Sequence, residues 1–331
     1  MRYVVARKAT PAHPIEYLLL ALSIALLVIA ISTIIFNESS ASTISISIIA
    51  VASSLFLFHE SFRIWILRRL FRTNRRLEDC ISGDEWEAVT TERDGVPIHA
   101  HMKWESDAAA PLVFFLHGWS SNSSRSHNRA KGIHGFHILA MDLRGHGHAP
   151  DDHEFTALKC AQDAVALLNS LPRERITNIA ICGHSLGSFI ALKLSSQMEG
   201  WWRSHLKCVV LESPMTNYNL ILDEYLTGPS RIIKPLLYRW LQHALKKIHP
   251  EERFTEPEDI MVPKWGIPEV RTLVVQAADD SRLGVEHYNL LLKYLKVDHE
   301  AHILDDLRHS GDSEHKGRAQ ITQKFLEESL L

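Results

Sequence analysis

Apolar positions in this chain fall into blocks of three kinds, and each kind predicts a different element. The first is long. Residues 17–36 and 41–58 carry no charged side chain, and about 20 apolar residues are what a helix needs to cross a hydrocarbon core. The first run predicts a transmembrane helix. The second is diluted by Ser and Thr and follows after only Asn37-Glu38-Ser39-Ser40, so the two predict a helical hairpin; an interfacial or buried helix is the alternative for the second. A secretory signal is the rival for the first, but its apolar core runs only about 7–15 residues, and no small-residue cleavage site follows here. The second kind of block is short and uninterrupted. Pro111–Leu116, Phe136–Met141, Ile179–Cys182, Cys208–Leu211 and Arg271–Gln276 predict buried strands, and Glu300–Leu304 predicts the last strand. The third kind has helical spacing. Phe189–Leu194 predicts a helix, as do Tyr218–Tyr225 and Ile232–Ile248, the last with Leu236, Leu237, Trp240, Leu241 and Leu245 on one side and Lys246-Lys247 near its end.

The chemistry sits where strands end. Gly183-His184-Ser185-Leu186-Gly187 follows the strand Ile179–Cys182 and opens the helix at Phe189. Glycines on both sides of a serine suit a sharp strand-to-helix elbow, where bulky neighbours would collide with the adjoining elements. Ser185 would then stand at a helix N-terminus, whose dipole favours developing negative charge. The strand Pro111–Leu116 ends in His117-Gly118-Trp119-Ser120, and Phe136–Met141 runs into Asp142-Leu143-Arg144-Gly145-His146-Gly147. That Gly-x-Gly is not a dinucleotide fingerprint, because Pro150 occupies the place of the third glycine.

Strand-HGW, strand-DLRGHG and strand-GHSLG, in that order, resemble the α/β-hydrolase family over roughly residues 84–331. The resemblance implies an α/β-hydrolase fold with a mostly parallel sheet flanked by helices. It also implies a triad in the chain order Ser, Asp or Glu, His. On that frame Ser185 is the nucleophile. Asp280 is the acid, with Ala277 in the place of the usual glycine and Leu283 as the apolar follower; Asp279 and, at an earlier strand end, Glu212 are the alternatives. His309, in the loop after the last strand, is the base, whereas His302 falls inside that strand and His315 at the next helix start. Backbone N–H groups of Trp119 and Leu186 would form the oxyanion hole, with His117, Gly118, Gly183 and Gly187 supporting the motifs. His117 and His184 are expected to pack and hydrogen-bond rather than to act as acid or base, and Asp142 and Arg144 to brace the loops behind the site. No cofactor is implied. Residues 212–270 exceed one crossover connection, so a cap-like insertion is expected at about 213–270; the resemblance implies that it covers the nucleophile, and helices packed on the core without lid motion are the alternative.

Charge and composition refine the picture. Arg2, Arg7 and Lys8 precede the first span, Arg63, Arg68, Arg69, Arg72, Arg75 and Arg76 follow the second, and the connecting loop has no basic residue. Both ends are therefore expected in the cytoplasm, with residues 62–72 lying along the headgroups. The expected division is an anchor at 1–76 and a hydrolase domain at 77–331. A net charge of −3 and the position of the arginines beside apolar spans argue against nucleic acid as a partner; the bilayer and a small acyl ester are the expected ones. Cys80, Cys160, Cys182 and Cys208 have no metal-type spacing, as suits reduced cytoplasmic cysteines. His134, His137, His146, His148 and His153 crowd one region without paired spacing on one element, so no metal site is expected. The reading is a membrane-anchored serine esterase. An acyltransferase or thioesterase using the same triad, and a non-catalytic membrane adaptor, are the alternatives.

Overall fold

The two long apolar runs form helices α1 (Pro14–Phe36) and α2 (Ala41–Phe71). They pack against each other through small side chains: Ser23 and Ala30 of α1, and Ser47, Ala50, Ser54 and Ser61 of α2, are buried. Seven-residue spacing of Ser47, Ser54 and Ser61 keeps them on one stripe of α2. Ser23 Oγ donates to the Ser54 carbonyl at 2.9 Å and Ser54 Oγ to the Ser23 carbonyl at 2.8 Å. Leu and Ile side chains point away from this seam and are exposed. Beyond the uncharged run that ends at Phe58, α2 continues through Arg63 and Arg68. No Gly or Pro interrupts residues 59–71, and Arg63 pairs with Glu60 one turn back at 2.5 Å.

This computed structural model describes residues 14–36, 40–71, 85–152, 154–226, 228–310 and 314–331. Arg2, Arg7, Lys8, Arg72, Arg75, Arg76, Cys80, His153 and the loop 37–39 lie outside the described residues. Backbone contacts divide the chain into two compact units, one holding α1 and α2, the other beginning at Thr73.

In the second unit, eight described strands form one sheet: β1 (Glu87–Arg93), β2 (Val96–Lys103), β3 (Ala110–Leu116), β4 (His137–Asp142), β5 (Ile176–His184), β6 (Leu206–Glu212), β7 (Arg271–Ala277) and β8 (His299–Leu304). Their order is β1-β2-β4-β3-β5-β6-β7-β8. The pairs from β4 through β8 are parallel, and β1 and β2 add an antiparallel edge. That edge was not expected from the apolar runs, because β2 buries one face only and so alternates with polar residues such as His99 and His101. Helices α4 (Ala157–Ser170) and α5 (Leu186–Gln197) pack together over one face. On the other, Phe325, Leu326 and Leu330 of α9 (Lys316–Leu330), with Ala130 of α3 (Ser123–Ala130), join Val113, Phe115, Ala180, Cys182, Val210 and Val275 in one core. Within the Ser/Asn-rich stretch 120–126, helix α3 begins at Ser123 after the N-cap Asn122.

Between β6 and β7 lie α6 (Tyr218–Tyr225), a 3₁₀ segment (Gly228–Ile233) and α7 (Lys234–Ile248). Helix α7 buries Leu237, Trp240, Leu241 and Leu245, and it starts two residues later than its apolar spacing suggests. Helix α8 (Glu286–Tyr294) precedes β8. Chain direction across the sheet reverses at β3: β4 lies on one side and β5 on the other. In open α/β sheets, ligands bind at the carboxyl ends of strands flanking such a reversal.

Candidate active site

Ser185 occupies that position, in the turn from β5 into α5. Its backbone has φ 54° and ψ −117°, a conformation that costs a non-glycine residue energy and persists only when its surroundings impose it. The imposing contacts are specific. Ser185 N–H donates to the Glu212 carbonyl of β6 at 3.0 Å, and the Ser185 carbonyl accepts from Met215 N–H at 3.2 Å. Close approach explains the flanking glycines: a Cβ on Gly187 would meet the Leu116 carbonyl oxygen at 2.1 Å, and one on Gly183 the Gly187 oxygen at 2.6 Å.

His309 follows β8, and its Nε2 is 3.1 Å from Ser185 Oγ. Its Nδ1 is 2.8 Å from Asp280 Oδ2, in the turn after β7. A carboxylate can only accept, so Nδ1 carries the proton and Nε2 presents its lone pair to the Ser185 hydroxyl. Asp280 is held in turn: Oδ1 accepts from Arg282 N–H at 3.0 Å and Leu283 N–H at 2.9 Å, and Oδ2 accepts from Gln276 Nε2 at 3.0 Å. Burial works to raise the Asp280 pKa, but the hydrogen bond and charge of His309, with those two N–H groups, hold it at about 2. Neighbouring Asp279 is exposed. His302 lies within β8, and His315 caps α9 by accepting from Arg318 N–H at 3.1 Å.

The loop after β3 lies against this group, since a Cβ on Gly118 would come within 3.1 Å of Ser185 Cβ. His117 is buried and works structurally. Its Nδ1 donates to the Gly118 carbonyl at 2.8 Å and its Nε2 accepts from Leu143 N–H at 3.0 Å; burial keeps it neutral by lowering its pKa. Ser120 also has a positive φ, 54°, and donates its N–H to His146 Nε2 at 3.1 Å. Trp119 is partly exposed and stands edge-on to His146 and Phe155. Asp142 accepts from Ser123 N–H at 2.7 Å and His148 N–H at 2.9 Å, and Arg144 pairs with buried Asp163 and with Asp152. The DLRGHG turn therefore braces both ends of the loop.

The carboxylate of Glu212 has partners other than His309. It pairs with Arg129 of α3 at 3.0 Å and with Arg318 of α9 at 2.9 Å. Burial opposes its ionisation, but the two guanidinium charges hold its pKa far below the ordinary glutamate value. His287, fully buried on α8, accepts from Thr216 N–H at 2.9 Å through Nδ1. Burial lowers its pKa to about 4.

The sequence model of the alpha/beta hydrolase family matches residues 113–310, more than half of the chain. The chain is an α/β hydrolase. Among curated proteins, this hydrolase is 28% identical over 186 residues to human protein ABHD12B, covering 54% of this chain and 48% of that one. It is 29% identical over 96 residues to the mouse sn-1-specific diacylglycerol lipase ABHD11, covering 28% of this chain and 30% of the relative. The matches thus span about half, or less, of these relatives' lengths. Among solved structures, it resembles the esterase Est1E of Butyrivibrio proteoclasticus with ferulic acid bound, with a TM-score of 0.57 at 18% identity, covering 73% of this chain and 99% of that one. An esterase of Pyrococcus furiosus aligns with a TM-score of 0.55 at 16% identity, covering 78% and 97%. Both show the hydrolase fold.

The geometry brings Ser185, Asp280 and His309 together. Arg129, Glu212 and Arg318 also meet, and this was not expected: they are 83 and 106 residues apart in sequence and belong to none of the three motifs. His146 as an acceptor for the Ser120 N–H was equally unforeseen, although it sits inside a motif that was read.

Proposed function

We propose that this chain is a membrane-anchored serine hydrolase that cleaves carboxylic esters through an acyl-enzyme intermediate, with Ser185, His309 and Asp280 as its triad. The observation that carries the reading is the hydrogen-bonded line from Asp280 Oδ2 through His309 to Ser185 Oγ, 2.8 and 3.1 Å. A serine hydroxyl is a weak nucleophile until a neutral imidazole accepts its proton, and a carboxylate on the far nitrogen stabilises the imidazolium that forms. Ser185 Oγ attacks the ester carbonyl as its proton passes to His309 Nε2. Backbone N–H groups of Trp119 and Leu186 receive the oxyanion; losing one such donor typically costs about 3 kcal/mol of transition-state stabilisation. His309 then protonates the leaving alkoxide. Water, deprotonated by the same nitrogen, releases the acid and restores Ser185.

Helices α1 and α2 are each long and apolar enough to cross a membrane, which supports an anchor at residues 1–76 and a hydrolase domain at 77–331. The flanking arginines support a cytoplasmic domain. Residues 213–270 supply the cap. An anchored esterase meets amphiphiles partitioned into the bilayer, and the likeness to a diacylglycerol lipase supports a lipid-derived ester as substrate. Labelling with an organophosphonate probe, followed by a chain-length series of p-nitrophenyl esters, tests the reading. Ser185→Ala is expected to lose labelling and turnover while keeping its fold; full labelling of that variant would overturn the assignment.

A further inference from the structure

Directly behind the proposed nucleophile, one residue gathers contacts from two helices and the elbow. The side chain of Glu212 meets Arg129 Nε and Nη2 at 3.0–3.2 Å and Arg318 Nη1 at 2.9 Å, and its backbone carbonyl accepts the Ser185 N–H. Arg129 stands on the helix that follows the 117–122 loop, and Arg318 on the helix that follows the loop of His309. His184 Nε2 lies 3.9 Å from Glu212 Oε1 and donates to the His309 carbonyl oxygen at 2.9 Å. The rings of His184 and His309 are 5.1 Å apart. Burial, reinforced by the charge of Arg129, keeps His184 neutral by lowering its pKa well below the histidine norm. The cavity among these side chains, about 20 Å³, has room for roughly one water and none for a substrate.

We infer that His184, backed by the Arg129–Glu212–Arg318 cluster, is a positioning residue for the base. Its Nε2–H fixes the main chain of His309, so that the imidazole stays aligned between Ser185 and Asp280. The cluster keeps the loop carrying His309 and the loop carrying the oxyanion donor Trp119 at a common distance from the elbow. This rests on the triad proposed above. A misplacement of about 1 Å in a reacting group can cost around 100-fold in rate, so a bond that sets main-chain position is expected to act on kcat and to leave substrate binding alone.

Two substitutions at one position separate positioning from packing. His184→Phe keeps a ring but removes the donor, whereas His184→Gln keeps an amide N–H at the reach of Nε2. With the full-length protein in detergent and p-nitrophenyl butyrate as substrate, His184→Phe is expected to lower kcat by about 10- to 100-fold with KM within about twofold. His184→Gln should restore kcat to within about threefold of the parent, while the two variants share the same urea midpoint. Parental kcat in His184→Phe, or equal losses in both variants, would overturn the inference. Ser185→Ala, run in parallel, identifies which proposal has failed: if it retains turnover, the triad itself is wrong; if it is inactive while His184→Phe is unimpaired, only the positioning role falls. Glu212→Gln should show the same loss of kcat at constant KM. A folded Glu212→Gln with parental kcat would remove the ion cluster from the device.

Discussion

The helical hairpin and the hydrolase unit bury opposite kinds of side chain. Along α1 and α2 the contact between helices is made by Ser and Ala, with Ser23 and Ser54 each 4% exposed, while Ile35 and Leu55 stand 65% and 64% exposed. In the hydrolase unit Phe114, Leu139 and Ile181 are fully enclosed. Buried polar groups differ too. Those of the hairpin seam are neutral hydroxyls, with Ser23 and Ser54 bonding each other's backbone carbonyls, whereas the hydrolase interior holds ionised groups such as Glu212 and Asp280, each with several partners. A soluble core is driven together by expulsion of water from large apolar surfaces. Helices surrounded by hydrocarbon gain nothing from that and associate through close packing and hydrogen bonds of small residues. The pattern in α1 and α2 is the second kind, which gives the proposed anchor a physical basis independent of length.

The strongest test of that contrast is extraction. Hydrophobic insertion is not screened by salt as ionic contacts are, so the full chain is expected to stay in the membrane pellet at 1 M salt and to be released by detergent. Release by salt alone would break the comparison, since α1 and α2 would then belong to a soluble surface. Protease added outside intact cells should spare the hydrolase unit; digestion there would reverse the proposed orientation.

Next in size is the acid. Asp280→Asn leaves His309 without the carboxylate that selects its tautomer, and such a change costs about 10⁴-fold in kcat in a serine-protease triad. Asp279→Asn, at an exposed position, should stay within about twofold. Steady-state kinetics of both variants with a soluble ester decides between them, and the reverse ranking would shift the frame by one residue.

A smaller effect distinguishes the two interiors by pH. His287 is held neutral, with a folded-state pKa of about 4 against an ordinary value near 6.5. The unfolded chain therefore takes up protons first. Stability from this residue is fully present above about pH 6.5 and is lost as pH falls towards 4, amounting to about 2 kcal/mol at pH 5. His117 and His184, also depressed by burial, act in the same direction. The urea midpoint of the hydrolase unit, followed by tryptophan fluorescence, should fall between pH 7.5 and 5; a rise would contradict the neutral assignment of these histidines. The Ser23–Ser54 clasp has no group that titrates in this range. Its test is the smallest of the set: a Ser23→Ala, Ser54→Ala double-mutant cycle in the detergent-solubilised protein should give a coupling of about 0.6 kcal/mol.

Local signals made much of this legible. The elbow around Ser185 announced itself because close approach to β3 leaves room for glycine only, and the inner parallel strands β3 to β7 because most of their residues are buried on both faces. Where a feature depends on partners far along the chain, pattern carried less. Asp279 and Asp280 differ in the fold because the turn after β7 buries one and exposes the other, yet they are adjacent and chemically identical in sequence. The β1–β2 edge alternates, so it lacks the run of apolar residues that marked the inner strands. The arginines around Glu212 come from two helices at opposite ends of the domain, and nothing near either one reports the meeting. The length of α2 was not legible from charge: arginines mark where an uncharged run ends, but the helix continues past it, and residues 59–71 contain no Gly or Pro to stop it.

The placement of Ser185, the proposed nucleophile, at the reversal of strand order has a consequence for how this hydrolase would become active. Ser185 and His309 are separated by 124 residues, and the loop after β3, the elbow after β5, the turn after β7 and the loop after β8 must all be in register before one proton can move. Long-range pairings of this kind form slowly, because loop closure must precede the contacts that reward it. Ester turnover by the proposed triad would therefore report completion of the whole sheet. During refolding, helix content and collapse should return first, and ester turnover should return only with the last strand, so that a partly assembled chain is silent towards its substrate.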